Sequence, residues 1–258
     1  MKTLVTKFEK MGGRLKFTHF PQRFRVDIRR DKRGSIFDIA LDSIRWEPIV
    51  LDLQPKERHL LLLIREQGGG EKHKFLCGHD ERDWFVAAIP EASGVSNVRM
   101  AMEALKPDEV LAAQIHKNVK EKYRHRRRNE AFVRQGEWFF IPATEIEPPQ
   151  ILIIHDEPLI RGRGKPHMAE YLYRTGGRTV YFNRQYRNGL SEAEYRRLVQ
   201  SGEVSARGFQ VQRLDPTVYV KGRITHPDHK TVLLDGWHRV IPNTESRAAS
   251  MRHLAFID

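Results

Sequence analysis

The chain has 258 residues and one cysteine, Cys77. A lone thiol forms no intrachain disulfide and no thiolate metal cluster, so stability has to come from a packed core, and a reducing compartment is compatible. Long apolar runs are missing too. The longest block, which starts at His59 and ends at Ile64, falls far short of the roughly 20 residues that cross a bilayer. The opening MKTLVTKFEKMGG holds no apolar stretch of signal length. The expectation is a cytoplasmic protein with no membrane partner. A Walker loop, zinc-finger spacing, HExxH and GxSxG are likewise absent, which removes the common signatures of nucleotide hydrolysis, zinc proteolysis and serine hydrolysis. The glycine-rich QGGGEKHK, at residues 67–74, precedes a strand-like run instead of a helix and reads as a hairpin loop.

Cationic charge is abundant. With 45 lysines and arginines against 33 acids, the formal net charge is +12, on a globular composition that is 40% hydrophobic and 30% charged. Such an excess calls for an acidic partner, most often a nucleic acid. The charge is also concentrated. Residues 23–33 hold six basic residues against two acids, 117–134 hold eight against two, and 161–213 hold ten arginines and a lysine against four acids. The middle run, with Lys122, Arg124, Arg126, Arg127 and Arg128, is expected at the end of a helix that begins near Pro107. A helix dipole accounts for one or two such cations and not for eight. Each phosphate neutralised adds about −0.7 to −0.9 to the salt slope of binding.

The third run interleaves aromatics. Tyr171, Tyr173, Tyr181, Phe182, Tyr186 and Tyr195 alternate with Arg174, Arg178, Arg184, Arg187, Arg196 and Arg197. Tyrosine faces stack bases while guanidinium groups hold phosphates, which suits RNA or single-stranded DNA. The alternative is that the rings form the dry face of a strand and of a helix capped at Ser191, with Glu194 three residues on. Both hold in part: Tyr195 and Leu198 pack, and Arg174, Arg178, Arg184 and Arg187 stay exposed. Arg163 and Lys165, in the glycine-containing RGRGKPH, add a flexible basic loop.

The densest collection of site-type residues lies at 218–245. There VYVKGRIT meets His226-Pro227-Asp228-His229 and continues through TVLLDGWHRVIPNTE. The HPDH stretch reads as a hairpin connection, and Asp235-Gly236 as a second reversal, together predicting a three-strand meander. His226, Asp228, His229 and His238 are the candidate acid–base residues. No metal site is assigned. An unbroken strand would put His229 and His238 roughly 30 Å apart, and a turn at Asp235-Gly236 roughly 13 Å. Only His226 and His229, with Asp228, converge, and they need further ligands from elsewhere, for instance His167. Which cofactor, if any, the chain takes stays open. Gly136, Ile141, Pro142, Thr144 and Glu145 recur one hundred positions later as Gly236, Ile241, Pro242, Thr244 and Glu245. The match is either a duplicated β unit or a chance likeness.

Many short strands with two or three helices make an α+β protein whose sheets are largely antiparallel. The helices are expected near 96–105, from 107 onward and at 191–201. Pro148-Pro149 suggests a boundary: a β-rich domain at 1–147 with a helical insert, then a basic, aromatic domain at 148–258. The run ILIIHDEPLI after it is expected to be a strand buried on both faces. Three functions follow. The first is a nucleic-acid-binding accessory or structural protein, the second a nuclease-like enzyme using the histidines, and the third a module for an acidic protein partner. Whether the chain is an enzyme stays open.

Overall fold

The computed structural model describes residues 2–21, 23–90, 94–161 and 164–247. Among them no helix is long and apolar enough to cross a membrane. The chain forms two units by its own contacts. Unit 1 comprises Met1–Ile141, Thr225–Val232 and the stretch from Ile241 onward, and unit 2 comprises Pro142–Ile224 and Leu233–Val240.

Unit 1 opens with helix α1 (Lys2–Lys10), which buries Leu4 and Phe8 on one face. Strands β1 (Leu15–His19), β2 (Phe24–Asp31) and β3 (Gly34–Leu41) form a sheet in the order β1-β3-β2. β1 runs parallel to β3 and β2 antiparallel to it. The alternation in FRVDIRR is a strand as expected: Val26 is buried while Asp27 and Arg29 face solvent. A second sheet, β4 (Trp46–Gln54), β5 (His59–Glu66), β6 (Lys72–Asp80) and β7 (Asp83–Ile89), is an antiparallel meander in that order. Gln67 to Gly70 makes the β5–β6 loop, as the sequence predicts.

This second sheet is covered on both faces, which explains its leucine run. Leu60, Leu62 and Ile64 join Phe8, Phe37, Ile39, Trp46 and Phe75 in one core. Leu61, pointing the opposite way, joins Leu76 and Ile89 beneath Val98, Ala101 and Leu105 of the next helical segment. That segment is α2 (Val98–Ala104), capped by Asn97, whose side chain accepts from Met100 N. α3 (Asp108–His116) follows with Pro107 at its cap and Asp108 and Glu109 in the first turn.

α3 does not reach the basic run. It stops at a left-handed Asn118 (φ 49°). There Asn118 N donates to Ile115 O and Val119 N to Gln114 O at 2.9 Å each, a Schellman closure of the helix. The basic residues beyond it lie on a short 3-10 turn (Glu121–Tyr123) and irregular chain. Strands β8 (Val133–Gln135) and β9 (Trp138–Pro142) then form a hairpin.

Unit 2 contains β10 (Ile154–Leu159), β11 (His167–Thr175), β12 (Arg178–Phe182), β13 (Leu190–Ser191), α4 (Glu192–Gln200) and β14 (Gln210–Leu214). The two long strands β15 (Thr217–His226) and β16 (His229–Pro242) belong to both units along their length. β10, β11, β15 and β16 are neighbours in that order, and β13-β12-β14 is a separate small sheet. α4 carries the expected capping box between Ser191 and Glu194. The described residues hold four α-helices, one more than the upper expectation, because the amphipathic start of the chain is helical.

Two further expectations fail. The run ILIIHDEPLI is not doubly buried: β10 is an edge strand, Ile151 is 91% exposed, and Leu159 is its buried end. The left-handed Asp156 (φ 51°) interrupts the pairing with β11 at one position without shifting its register. Nor does the chain reverse at Asp235-Gly236. β16 runs unbroken through that pair, Gly236 is not among the residues with positive φ, and Leu234 beside it is buried. Anchoring that side chain in the sheet overrides the local turn preference. The hundred-residue repeat has a structural counterpart: Ala143 N donates to Trp237 O at 2.9 Å and Asn243 N to Glu137 O at 2.8 Å, the same bond with the copies' roles exchanged.

One exposed ion pair sets a measurable pH response. Arg14 holds Asp31 through two guanidinium hydrogen bonds of 2.8 and 2.7 Å. That pairing, with the Arg33 amide behind it, lowers the Asp31 pKa to about 2. A carboxylate depressed on folding contributes stability that is complete above its unfolded pKa, about 3.9, and is lost as pH falls through the folded value. The stability difference between wild type and Asp31→Asn, measured by urea denaturation, is therefore expected to be largest above pH 5 and to shrink toward pH 2.

Candidate functional site

The β15–β16 hairpin turns on two residues, Pro227 and Asp228, so His226 ends one strand and His229 begins the next. Their rings stack with centroids 4.6 Å apart and planes 29° from parallel. The Asp228 amide donates to Nδ1 of His226 at 3.1 Å. In the neutral ring that leaves the proton on Nε2.

Other parts of unit 1 hold this tip by the backbone of one residue. Lys230 N donates to the Glu81 carboxylate, and Lys230 O accepts from Gln135 Nε2 at 2.6 Å. The Glu81 side chain is only 4% exposed and pairs with Arg127, which also reaches Asp80 at 2.6 Å. Arg134 meets the other Asp80 oxygen at 3.2 Å. Burial lowers the Arg127 pKa and Asp80 opposes it, so this guanidinium is desolvated and committed. Arg30, at the end of β2, binds Asp83 and lies 3.8 Å from Asp228. Glu81 itself sits at φ 48°, a left-handed conformation costing a non-glycine residue about 1 kcal/mol.

Of the four candidate acid–base residues, His226, Asp228 and His229 thus share one turn. His238 lies nine residues further along the unbroken β16, about 30 Å of extended chain. Its Nδ1 donates to Gly236 O at 2.8 Å. His167, at the start of β11, is buried and pairs in the ladder with Leu159.

The basic candidates separate into committed and uncommitted groups. In unit 1, Arg127 is held by Asp80 and Glu81. Arg124 is half-buried; its Nε donates to Val119 O, and its own carbonyl accepts from Gln114. Lys122 and Arg126 are exposed and lie over the Tyr123 ring, at 4.9 and 4.5 Å from its centroid. Arg128 is exposed beside an isolated bridge to Val133.

In unit 2, Arg174 pairs with Glu157 at 2.8 Å. Arg178 lies 3.9 Å from Asp215 with both side chains more than two-thirds exposed, a contact that contributes about nothing to stability. Lys165 has its own interactions, and Arg163, with Gly162, lies outside the described residues. Arg184 and Arg187 are exposed and make no ion pair among the described residues.

These last two sit on a built loop between β12 and β13. Asn183 Oδ1 accepts from the amides of Gln185 and Tyr186 at 2.9 Å each, and Gly189 N closes back on Tyr186 O at 3.1 Å. Gly189 has φ 78°, and a Cβ there would lie 3.0 Å from Val180 Cβ, so the close requires glycine. The Tyr186 ring stacks on Phe209 at 6.0 Å. Phe209 meets Tyr195 edge-on at 5.0 Å, and Tyr195 lies flat on Tyr181 at 4.0 Å. The ring contact brings the chain around Arg207, exposed and also without an ion pair among the described residues, to this loop.

Comparison of the chain with protein-family models, with curated proteins and with solved structures finds no match. The residues sequence reasoning missed are Asp80, Glu81 and Gln135 at the hairpin tip, and Arg207 and Phe209 by the loop. HDERD reads as any polar turn, and nothing local distinguishes a carboxylate that will close on a backbone amide about 150 residues away.

Removing a buried partner leaves its mate desolvated. Glu81→Ala is expected to destabilise unit 1 by about 2 kcal/mol, read as a lower urea midpoint. It is also expected to speed hydrogen exchange at the Lys230 amide, while amides of β5 keep their order of protection. Unchanged exchange at Lys230 counts against the clamp.

Proposed function

We propose that this chain is a nucleic-acid-binding protein, of RNA or single-stranded DNA by preference, acting as an accessory or structural component. The observation that carries the reading is the Asn183–Gly189 loop of unit 2. Arg184 and Arg187 stand exposed on a turn braced by its own hydrogen bonds and by the Tyr186–Phe209 contact, Arg207 lies two residues before Phe209, and none of the three has a carboxylate to neutralise it among the described residues. The loop backbone, being braced, loses little conformational freedom when these guanidinium groups meet phosphate oxygens, and guanidinium is suited to bidentate contacts. Exposed Lys122 and Arg126 of unit 1, lying over the Tyr123 ring, supply further surface cations.

The aromatic part of the recognition is narrower than the sequence suggests. Tyr181, Tyr195 and Tyr186 are engaged with one another and with Phe209, so the loop addresses phosphates, and any stacking on bases has to use the ring faces left over. Binding of that type is salt-dependent and largely indifferent to sequence. The Arg184→Ala/Arg187→Ala double variant is expected to weaken binding to a labelled single-stranded oligonucleotide and to reduce the magnitude of its salt slope by about 1.5, with its urea midpoint unchanged. Wild-type protein ignoring single- and double-stranded DNA and RNA at low ionic strength overturns the reading and leaves an acidic protein partner as the explanation of the charge.

A second reading, cleavage of the bound nucleic acid, is favoured by the stacked His226–His229 pair held on its clamped turn. One neutral and one protonated imidazole are the groups that general acid–base hydrolysis uses. On this reading His226→Ala and His229→Ala each abolish cleavage of a labelled strand while His238→Ala does not. An intact substrate after prolonged incubation with wild type, with and without chelator, leaves binding alone.

A further inference from the structure

We infer that the turn between β15 and β16 takes a divalent transition-metal ion, zinc or a neighbour in the series, with the imidazoles of His226 and His229 as two of its ligands. The inference is independent of nucleic-acid binding, since its readout is the ion itself.

The spacing supplies the first argument. Residues i and i+3 flanking a two-residue hairpin turn leave their strands side by side, so the two rings face each other without help from distant chain. Their centroids are 4.6 Å apart, and a ring nitrogen of one lies within 4.8 Å of a ring nitrogen of the other. Tetrahedral zinc at about 2.0–2.1 Å from each nitrogen needs the pair roughly 3.3 Å apart.

Donor chemistry is the second argument. Imidazole nitrogen is the commonest protein ligand for transition metals. Asp228, between the two histidines, places a half-buried carboxylate on the same turn. The set of nitrogen donors with a nearby carboxylate selects zinc, copper or nickel over magnesium or calcium, which prefer oxygen.

Preorganisation is the third. The peptide groups of Lys230 are fixed by Glu81 and Gln135, and Arg30 stands 3.8 Å from Asp228. A turn held from outside itself presents its two rings without first having to order them. The bond from the Asp228 amide to Nδ1 of His226 is the interaction that an ion approaching that nitrogen displaces; an ion approaching Nε2 displaces a proton instead.

The test is calorimetric titration of zinc chloride into the full chain stripped with chelator. One ion per chain is expected, with affinity at least about tenfold weaker in His226→Gln and in His229→Gln and unaltered in His238→Gln. Glutamine keeps a polar group on the turn, and urea midpoints of the metal-free variants matching wild type show that the fold persists. As a second measurement, cobalt(II) added to wild type is expected to give visible d–d absorption that both tip variants lose. No heat and no cobalt spectrum in wild type, or binding that survives both substitutions, overturns the site.

Discussion

The constraint on which unit 1 depends is the burial of the β4–β7 sheet from both sides. Successive side chains of β5 point alternately into two different cores, Leu60, Leu62 and Ile64 toward α1 and the first sheet, Leu61 toward α2. A strand used in this way has no face left for solvent, and its register is fixed because a one-residue slip would exchange the two cores. The turns that join these strands inherit that rigidity. The Glu81 turn between β6 and β7 is one of them, which is why a single carboxylate there can serve as a fixed point for the tip of a hairpin far along the chain.

Charge in this protein divides by what surrounds it. Arg127 and Arg134 are absorbed by Asp80 and Glu81, Arg25 and Arg29 by the buried Asp38, and Lys106 by Glu103 and Gln114. Asp38 shows the balance: burial alone would raise its pKa, but the Thr18 hydroxyl and the two arginines hold it below the ordinary value. These ions are part of the fold. Arg184, Arg187 and Arg207 are of the other kind, held in place through their backbone and neighbouring rings while their charge stays in water. A net charge of +12 therefore says less than the distinction between cations spent on internal carboxylates and cations left at the surface.

Legibility followed the range of the interaction. The capping box at Ser191, the hairpin at the glycine-rich loop, the alternation of β2 and the HPDH turn are decided within a few residues, and each was readable. The end of α3 was readable in part, since Asn118 is a residue type that tolerates the left-handed closure, yet the basic run after it drew the helix too far. The apolar run of β10 misled because hydrophobicity records what a segment tolerates and not which side of a sheet it occupies. At Asp235-Gly236 a strong local turn preference was overruled by a strand already anchored through Leu234.

The sequence by itself determined the α+β class with mainly antiparallel strands, the excess of positive charge and the turn that brings His226, Asp228 and His229 together. All of these rest on composition or on neighbours in the chain. Only the tertiary structure decided which arginines are paired with carboxylates and which stay in water, that the tyrosines of the basic segment pack on each other, and that Glu81 and Gln135 secure the histidine turn. Those outcomes depend on groups separated by up to about 150 residues, and no local pattern encodes which of many similar polar side chains will meet.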